Sequence, residues 1–269
     1  MPNGLDNFLN AAGKTMEVFP KAYDDVLQPA AKETSKLIER IPRAINAAFA
    51  PLDIWIEHRN FNVDKTKQLL NEKLKDKNPD SIVPPEPYVA IPALQAISYS
   101  MGSDDLRDLY ANLLAKSMQK DTKDLVHPSF VEIIKQLSPA DAKMLSLLAN
   151  DLSPDNSTYP LINIIAKDEE NRWVSVSENV IDSKYHSSDN YSLSIDNLNR
   201  LNLILIYDER ALAEKETYSR LVEIPSVQAT LKEIEAGSIE PSLKISEIKY
   251  GSFHFSELGM LFVNTCVIE

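Results

Sequence analysis

Glycine is scarce in this chain: there are 6 in 269 residues, where average usage would give about three times as many. Few backbone positions can then adopt left-handed turns without strain, and phosphate-cradling glycine loops are excluded. Cysteine occurs once, at Cys266, so no intrachain disulfide framework exists and a reducing compartment is expected. Basic residues are outnumbered, 28 Lys+Arg against 40 Asp+Glu, which gives a formal net charge of −12. Such a balance disfavours nonspecific attraction to nucleic acid or to anionic lipid. Long apolar runs are missing too, since nothing approaches the ~18 residues of a membrane span. The nearest is AINAAFAPLDIWI at Ala44–Ile56, interrupted by Asn46, Pro51 and Asp53. The start, MPNGLDNFLNAAGK, lacks the basic-then-apolar pattern of a secretory leader, and a cytoplasmic location is expected.

What is present is helical periodicity, clearest between Tyr88 and Asn150. Ser103 and Asp104 can cap a helix whose apolar residues fall at Leu106, Leu109, Tyr110, Leu113, Leu114 and Met118. Those steps of three and four form one stripe of an amphipathic helix. After His127-Pro128-Ser129 a second helix buries Phe130, Val131, Ile133, Ile134 and Leu137. Ser138-Pro139-Ala140-Asp141 is a further start signal, with a capping serine, proline at the first helical position and an acid three residues after the cap. Pro92 opens another helix ahead of these. Upstream, Pro20, Pro29, Pro42 and Pro51 divide residues 15–82 into short helices. Ile82 to Pro87 (IVPPEP) reads as a stiff extended connector.

Three ordered motifs, PPEPYVAIPALQAISYS, DDLRDLYANLLAKSMQKDT and HPSFVEIIKQLSPADAKML, resemble the abortive-infection alpha (Abi-alpha) family of bacterial proteins. The likeness is strongest from Ala22 to Asn150. It implies a context, phage defence by abortive infection, and it brings no catalytic residues to carry over.

After Asn150 the texture changes. YPLINIIA is a short apolar helix or strand, and Arg172–Ser177 alternates with period two as a strand does. Ser192–Asn202 has helical spacing and Leu203–Tyr207 reads as a strand. Pro225–Ala236 is a helix ended by Gly237, Leu243–Phe255 alternates again, and Ser256–Cys266 is a capped apolar helix. Three helices followed by strands and a long wing suggest a winged-helix module beginning near Ser138. The expected fold is therefore mainly α. A flexible start (1–14) precedes a helical bundle (15–137) and a winged-helix-like α+β domain (138–269). From Asp151 onward there are 10 Lys+Arg and 20 Asp+Glu, so this module carries a net charge of −10, and Arg200 is the one base in its groove-entering helix. DNA readers show a basic face, so no nucleic-acid partner is expected.

The four histidines are His58, His127, His186 and His254, none paired at metal-ligand spacing. His127, before a proline, reads as a loop or capping residue. Cys266 reads as packing rather than as a nucleophile. The acids Asp104, Asp105 and Asp108 suit a helix first turn. Tyr185-His186-Ser187-Ser188-Asp189 lies in a polar loop. No catalytic, cofactor or metal residues are assigned, and the chain is expected not to be an enzyme. The candidate interaction surface is Ile45, Phe49, Leu52 and Trp55, apolar enough to meet a protein partner or a second copy. Two alternatives remain: a winged-helix transcription regulator, and a peripheral membrane effector using residues 44–56.

Overall fold

The computed structural model describes residues 60–97, 102–153, 157–186, 190–208, 210–213 and 216–268. The expected flexible start, the helices placed before residue 60 and the candidate surface Ile45, Phe49, Leu52 and Trp55 lie outside these residues. The chain divides into two compact units. One runs to Leu137 and takes in the residues from Asn264; the other is Ser138–Val263.

The described part of the first unit contains α1 (Asn60–Leu74), α2 (Pro87–Ile97), α3 (Asp104–Ser117) and α4 (Ser129–Lys135). Ser103 caps α3, its hydroxyl accepting from Leu106 N at 3.3 Å. The stripe read from the sequence faces inward: Leu109, Tyr110, Leu113, Leu114 and Met118 are all buried, as is Ile134 on α4. Helices α1, α2 and α4 each pack on α3, which makes α3 the centre of this core. Residues 82–86 of the proline segment lie outside any helix, as expected, whereas Pro87 is already helical; the segment is knitted to the turn after α3. Val83 N donates to Met118 O at 2.8 Å and Lys120 N to Ser81 O at 3.0 Å. Helix α2 opens at Pro87 rather than at Pro92, and Glu86 O accepts from Val89 N and Ala90 N. Proline at the first position loses no helical bond, so Pro87 can open the helix, whereas Pro92 lies inside it and cannot donate to the carbonyl four residues back.

The last residues also belong here. A π-helical turn, Val263–Val267, ends the expected Ser256–Cys266 helix. The buried Asn112 side chain on α3 donates to Cys266 O at 2.9 Å and to Val267 O at 3.4 Å. A buried amide donor without an acceptor is costly, so Asn112 fixes the path of the terminal turn.

The second unit begins with α5 (Pro139–Asn150). It continues through β1 (Thr158–Lys167), β2 (Trp173–Val180), α6 (Tyr191–Arg200), β3 (Ile204–Tyr207), α7 (Glu216–Val222), α8 (Pro225–Glu235), β4 (Ile245–Phe255) and α9 (Glu257–Phe262). The four strands form one antiparallel sheet in the order β2-β1-β4-β3. Ile162, Ile164 and Ala166 of β1 pack on Tyr218 and Leu221 of α7 and on Val227 and Ile234 of α8. From the opposite face of β1, Tyr159 stacks on Phe253 of β4 at 5.1 Å and reaches α5, donating from its hydroxyl to Leu148 O at 2.7 Å.

This corrects the expected fold. Of the described residues 52% are helical and 19% lie in strands, and the helical bundle expected from residue 15 is not shown. The second unit is a sheet covered by helices rather than a winged helix. The helix expected at Pro225–Ala236 is α8, and together with α7, which was not expected, it closes one face of the sheet. The run YPLINIIA is β1, buried on both faces, so its apolar residues do not alternate with polar ones.

The capping box expected at Ser138 is formed. Asp141 N donates to Ser138 Oγ at 3.1 Å and Ser138 N donates to Asp141 Oδ2 at 2.7 Å. The same Oδ2 accepts from Asn197 Nδ2 of α6 at 2.8 Å, which joins α5 to α6. Asp141→Ala keeps the bond from residue 141 N to Ser138 Oγ but removes the acceptor shared by Ser138 N and the Asn197 amide, so a stability loss of about 1–2 kcal/mol is expected in urea titration. A midpoint equal to wild type would show that the box contributes nothing.

Candidate functional site

Two surfaces of the second unit carry chemistry. The first is a cleft of about 640 Å³ walled by the start of β1, the turn before α6, the 212–213 segment and one face of α7. Its geometry begins at Asp182, which caps a 3₁₀ turn, Ser183–Tyr185, by accepting from Lys184 N at 3.0 Å. That turn sends the Tyr185 ring inward, where its hydroxyl donates to Asp151 Oδ2. Lys184 Nζ lies 3.0 Å from the same oxygen and 4.6 Å from the Tyr185 ring centroid. Tyr185 in turn meets Tyr159 edge to face at 5.3 Å. Burial, reinforced by Tyr185 and Asp151, pushes the Tyr159 phenol far above its ordinary range. It therefore remains a neutral donor to Leu148 O at any physiological pH. Helix α7 also lines the cleft, with Glu216, Thr217 and Arg220. The other face of α7 borders a second, more apolar hollow of about 660 Å³, lined by Tyr218, Val222 and Tyr250 among others.

The second surface is one end of the sheet. Trp173 of β2 pairs with Lys167 of β1, which pairs with Ile245 of β4, so the three residues form a row across the strands. Trp173 is 55% exposed, Ile245 41% and the neighbouring Val174 43%. Lys249 Nζ lies 4.8 Å from the Trp173 ring centroid, and Lys167 pairs with Glu247. Hydrogen bonding from Lys167 holds the Glu247 carboxyl below its ordinary range.

The residues weighed from sequence fall elsewhere. His127 Nδ1 accepts from Ser129 N at 3.2 Å, a loop-capping contact. His186 stacks on Tyr191 at 3.9 Å and His254 on Tyr207 at 5.3 Å. Cys266 is fully buried, and burial pushes its thiol well above the ordinary value, which makes it a poor nucleophile. Among the described residues no group of three or more His, Cys, Asp or Glu could hold a metal ion. No described helix is long and apolar enough to cross a membrane. Lys184, Arg220 and Trp173 were not singled out by sequence reasoning. No motif spacing links Lys184 to Arg220; the sheet topology brings them to one cleft.

No curated protein matches the chain. Among solved structures it is similar to an uncharacterized protein from the hydrocarbon-degrading marine bacterium Alcanivorax borkumensis SK2, at 13% identity and a TM-score of 0.34, over 54% of this chain and 94% of that one. The family model described as "Abortive infection alpha" matches residues 58–266, which takes in α1 through most of the terminal turn. The resemblance carried by the three central motifs thus extends across most of the sequence, and the protein belongs to the abortive infection alpha family.

Proposed function

We propose that the chain is a non-enzymatic component of phage defence by abortive infection. It acts through protein contacts, its own self-association included, in the bacterial cytoplasm. Family membership supplies the defence context. The observation that carries the contact reading is the row at the sheet end. A half-exposed tryptophan on the same sheet face as the exposed Ile245 is the composition of an interface centre, where tryptophan is enriched. Trp173→Ala is expected to leave the melting temperature near wild type and to lower protection in phage-challenged cells about tenfold or more. Light scattering on the same variant separates a second copy from another protein, since only self-association changes the mass of the purified chain. Full protection by the variant would sink this reading.

Nucleic acid is not a partner in this proposal. The −10 balance from Asp151 onward opposes phosphate contact, and the regulator reading rested on a winged helix that the described residues do not form. Mobility-shift titration with random duplex at low salt is expected to give no complex. A steeply salt-dependent complex at submicromolar protein would reverse that expectation. The membrane alternative rested on residues 44–56, which lie outside the described residues.

A further inference from the structure

We infer that the cleft between the Lys184 turn and α7 is a binding site for a phosphorylated sugar, nucleotides included. The inference is independent of the contact surface at Trp173. From Asp151 onward the chain has ten basic residues against twenty acids. Two of those ten, Lys184 and Arg220, line this one hollow from different elements, the Ser183–Tyr185 turn and α7. Lys184 is already positioned by Asp151 Oδ2 and the Tyr185 ring. An ammonium has three donors, so N–H capacity remains for a phosphate oxygen. Arg220 forms no ion pair or hydrogen bond among the described residues, and its planar fork suits bidentate phosphate contact. Thr158 and Thr217 add hydroxyl donors.

The cleft also presents two carboxylates, Asp182 and Glu216. They disfavour a bare anion and accept from hydroxyl groups, as acids do on the ribose of bound dinucleotides. Asp182 Oδ1 accepts from Lys184 N, and Oδ2 has no hydrogen-bond partner among the described residues. Cations for phosphate, carboxylates for sugar hydroxyls, and Pro160 and Leu212 as an apolar wall together describe a ligand with all three features. At about 640 Å³ the cleft lies within the roughly 300–1,000 Å³ of small-molecule sites.

The test is calorimetric titration of the full chain with ribose 5-phosphate, adenosine 5′-monophosphate and inorganic phosphate. Arg220→Gln is compared with Lys232→Gln, an exposed lysine on α8 outside the cleft. Expected is saturable binding of at least one sugar phosphate, weakened about tenfold or more by Arg220→Gln and unchanged by Lys232→Gln. Both variants sit on exposed helix positions and are expected to melt with the wild type. The proposal is overturned if neither sugar phosphate binds at millimolar concentration. Equal weakening by the two variants, the mark of nonspecific ion attraction, also overturns it. So does inorganic phosphate binding as tightly as the sugar phosphates, because the carboxylates would then have no role.

Discussion

Gly259→Ala is expected to destabilise the second unit by about 3 kcal/mol, at the upper end of what overpacking usually costs. A Cβ built on Gly259 would sit 1.8 Å from Leu203 O and 2.7 Å from Leu203 C. Backbone atoms cannot step aside as the tip of a side chain can. Leu203 O is further committed, since it accepts from Ser256 N at 3.0 Å. Ser256 in turn donates from its hydroxyl to Asn202 O and caps α9 by accepting from Gly259 N. Moving the carbonyl away from a new methyl group therefore loosens the whole entry to α9. Gly102→Ala is the matched control. Gly102 has φ +92°, and a Cβ there meets nothing within 4 Å. It should lose about 1 kcal/mol, from backbone strain alone. Urea titration of both variants reads the difference, and equal losses would contradict the close approach at Leu203.

Leu113→Ala should cost about 2–5 kcal/mol, a transfer loss plus a cavity loss. Leu113 is wholly buried on α3, the helix on which α1, α2 and α4 all pack. Close packing on several sides limits how far the site can collapse around the missing atoms, which places the expected cost in the upper half of that range. The readout is thermal unfolding, where each kcal/mol shifts the midpoint of a 60–100-residue domain by about 4–8 °C. A midpoint equal to wild type would mean that Leu113 contributes nothing to the core.

Helix α3 was legible because its signals agree at several levels. Ser103 caps it, acids occupy its first turn, and one stripe of leucines continues to Met118. Strand β1 was only half legible. With Tyr159 on one face and Ile162 and Ile164 on the other, both faces are covered, and the period-two signal disappears. Helix α7 was missed. It has seven residues, and of these Tyr218 and Leu221 are buried, too few points to define a period. The sheet that unites β1 with β4 was hidden for a different reason. Its pairing, such as Tyr159 with Phe253, joins segments separated by most of the second unit, and local spacing carries no information about contacts that distant. The cleft likewise gathers residues from β1, the Ser183–Tyr185 turn and α7, which are separate in sequence, so Lys184 and Arg220 have no signature in the sequence.

The return of the chain to its first unit bears on how the protein is made. The residues from Asn264 complete a core whose other members end at Leu137, and the whole of the second unit is translated between them. At roughly 5–20 residues per second, Asn112 waits several seconds or longer after Leu137 is made for the carbonyls of Cys266 and Val267. During synthesis the first unit therefore stays open at that seam while the second can already fold. A nascent chain interrupted before the last turn leaves the Asn112 amide without these two acceptors.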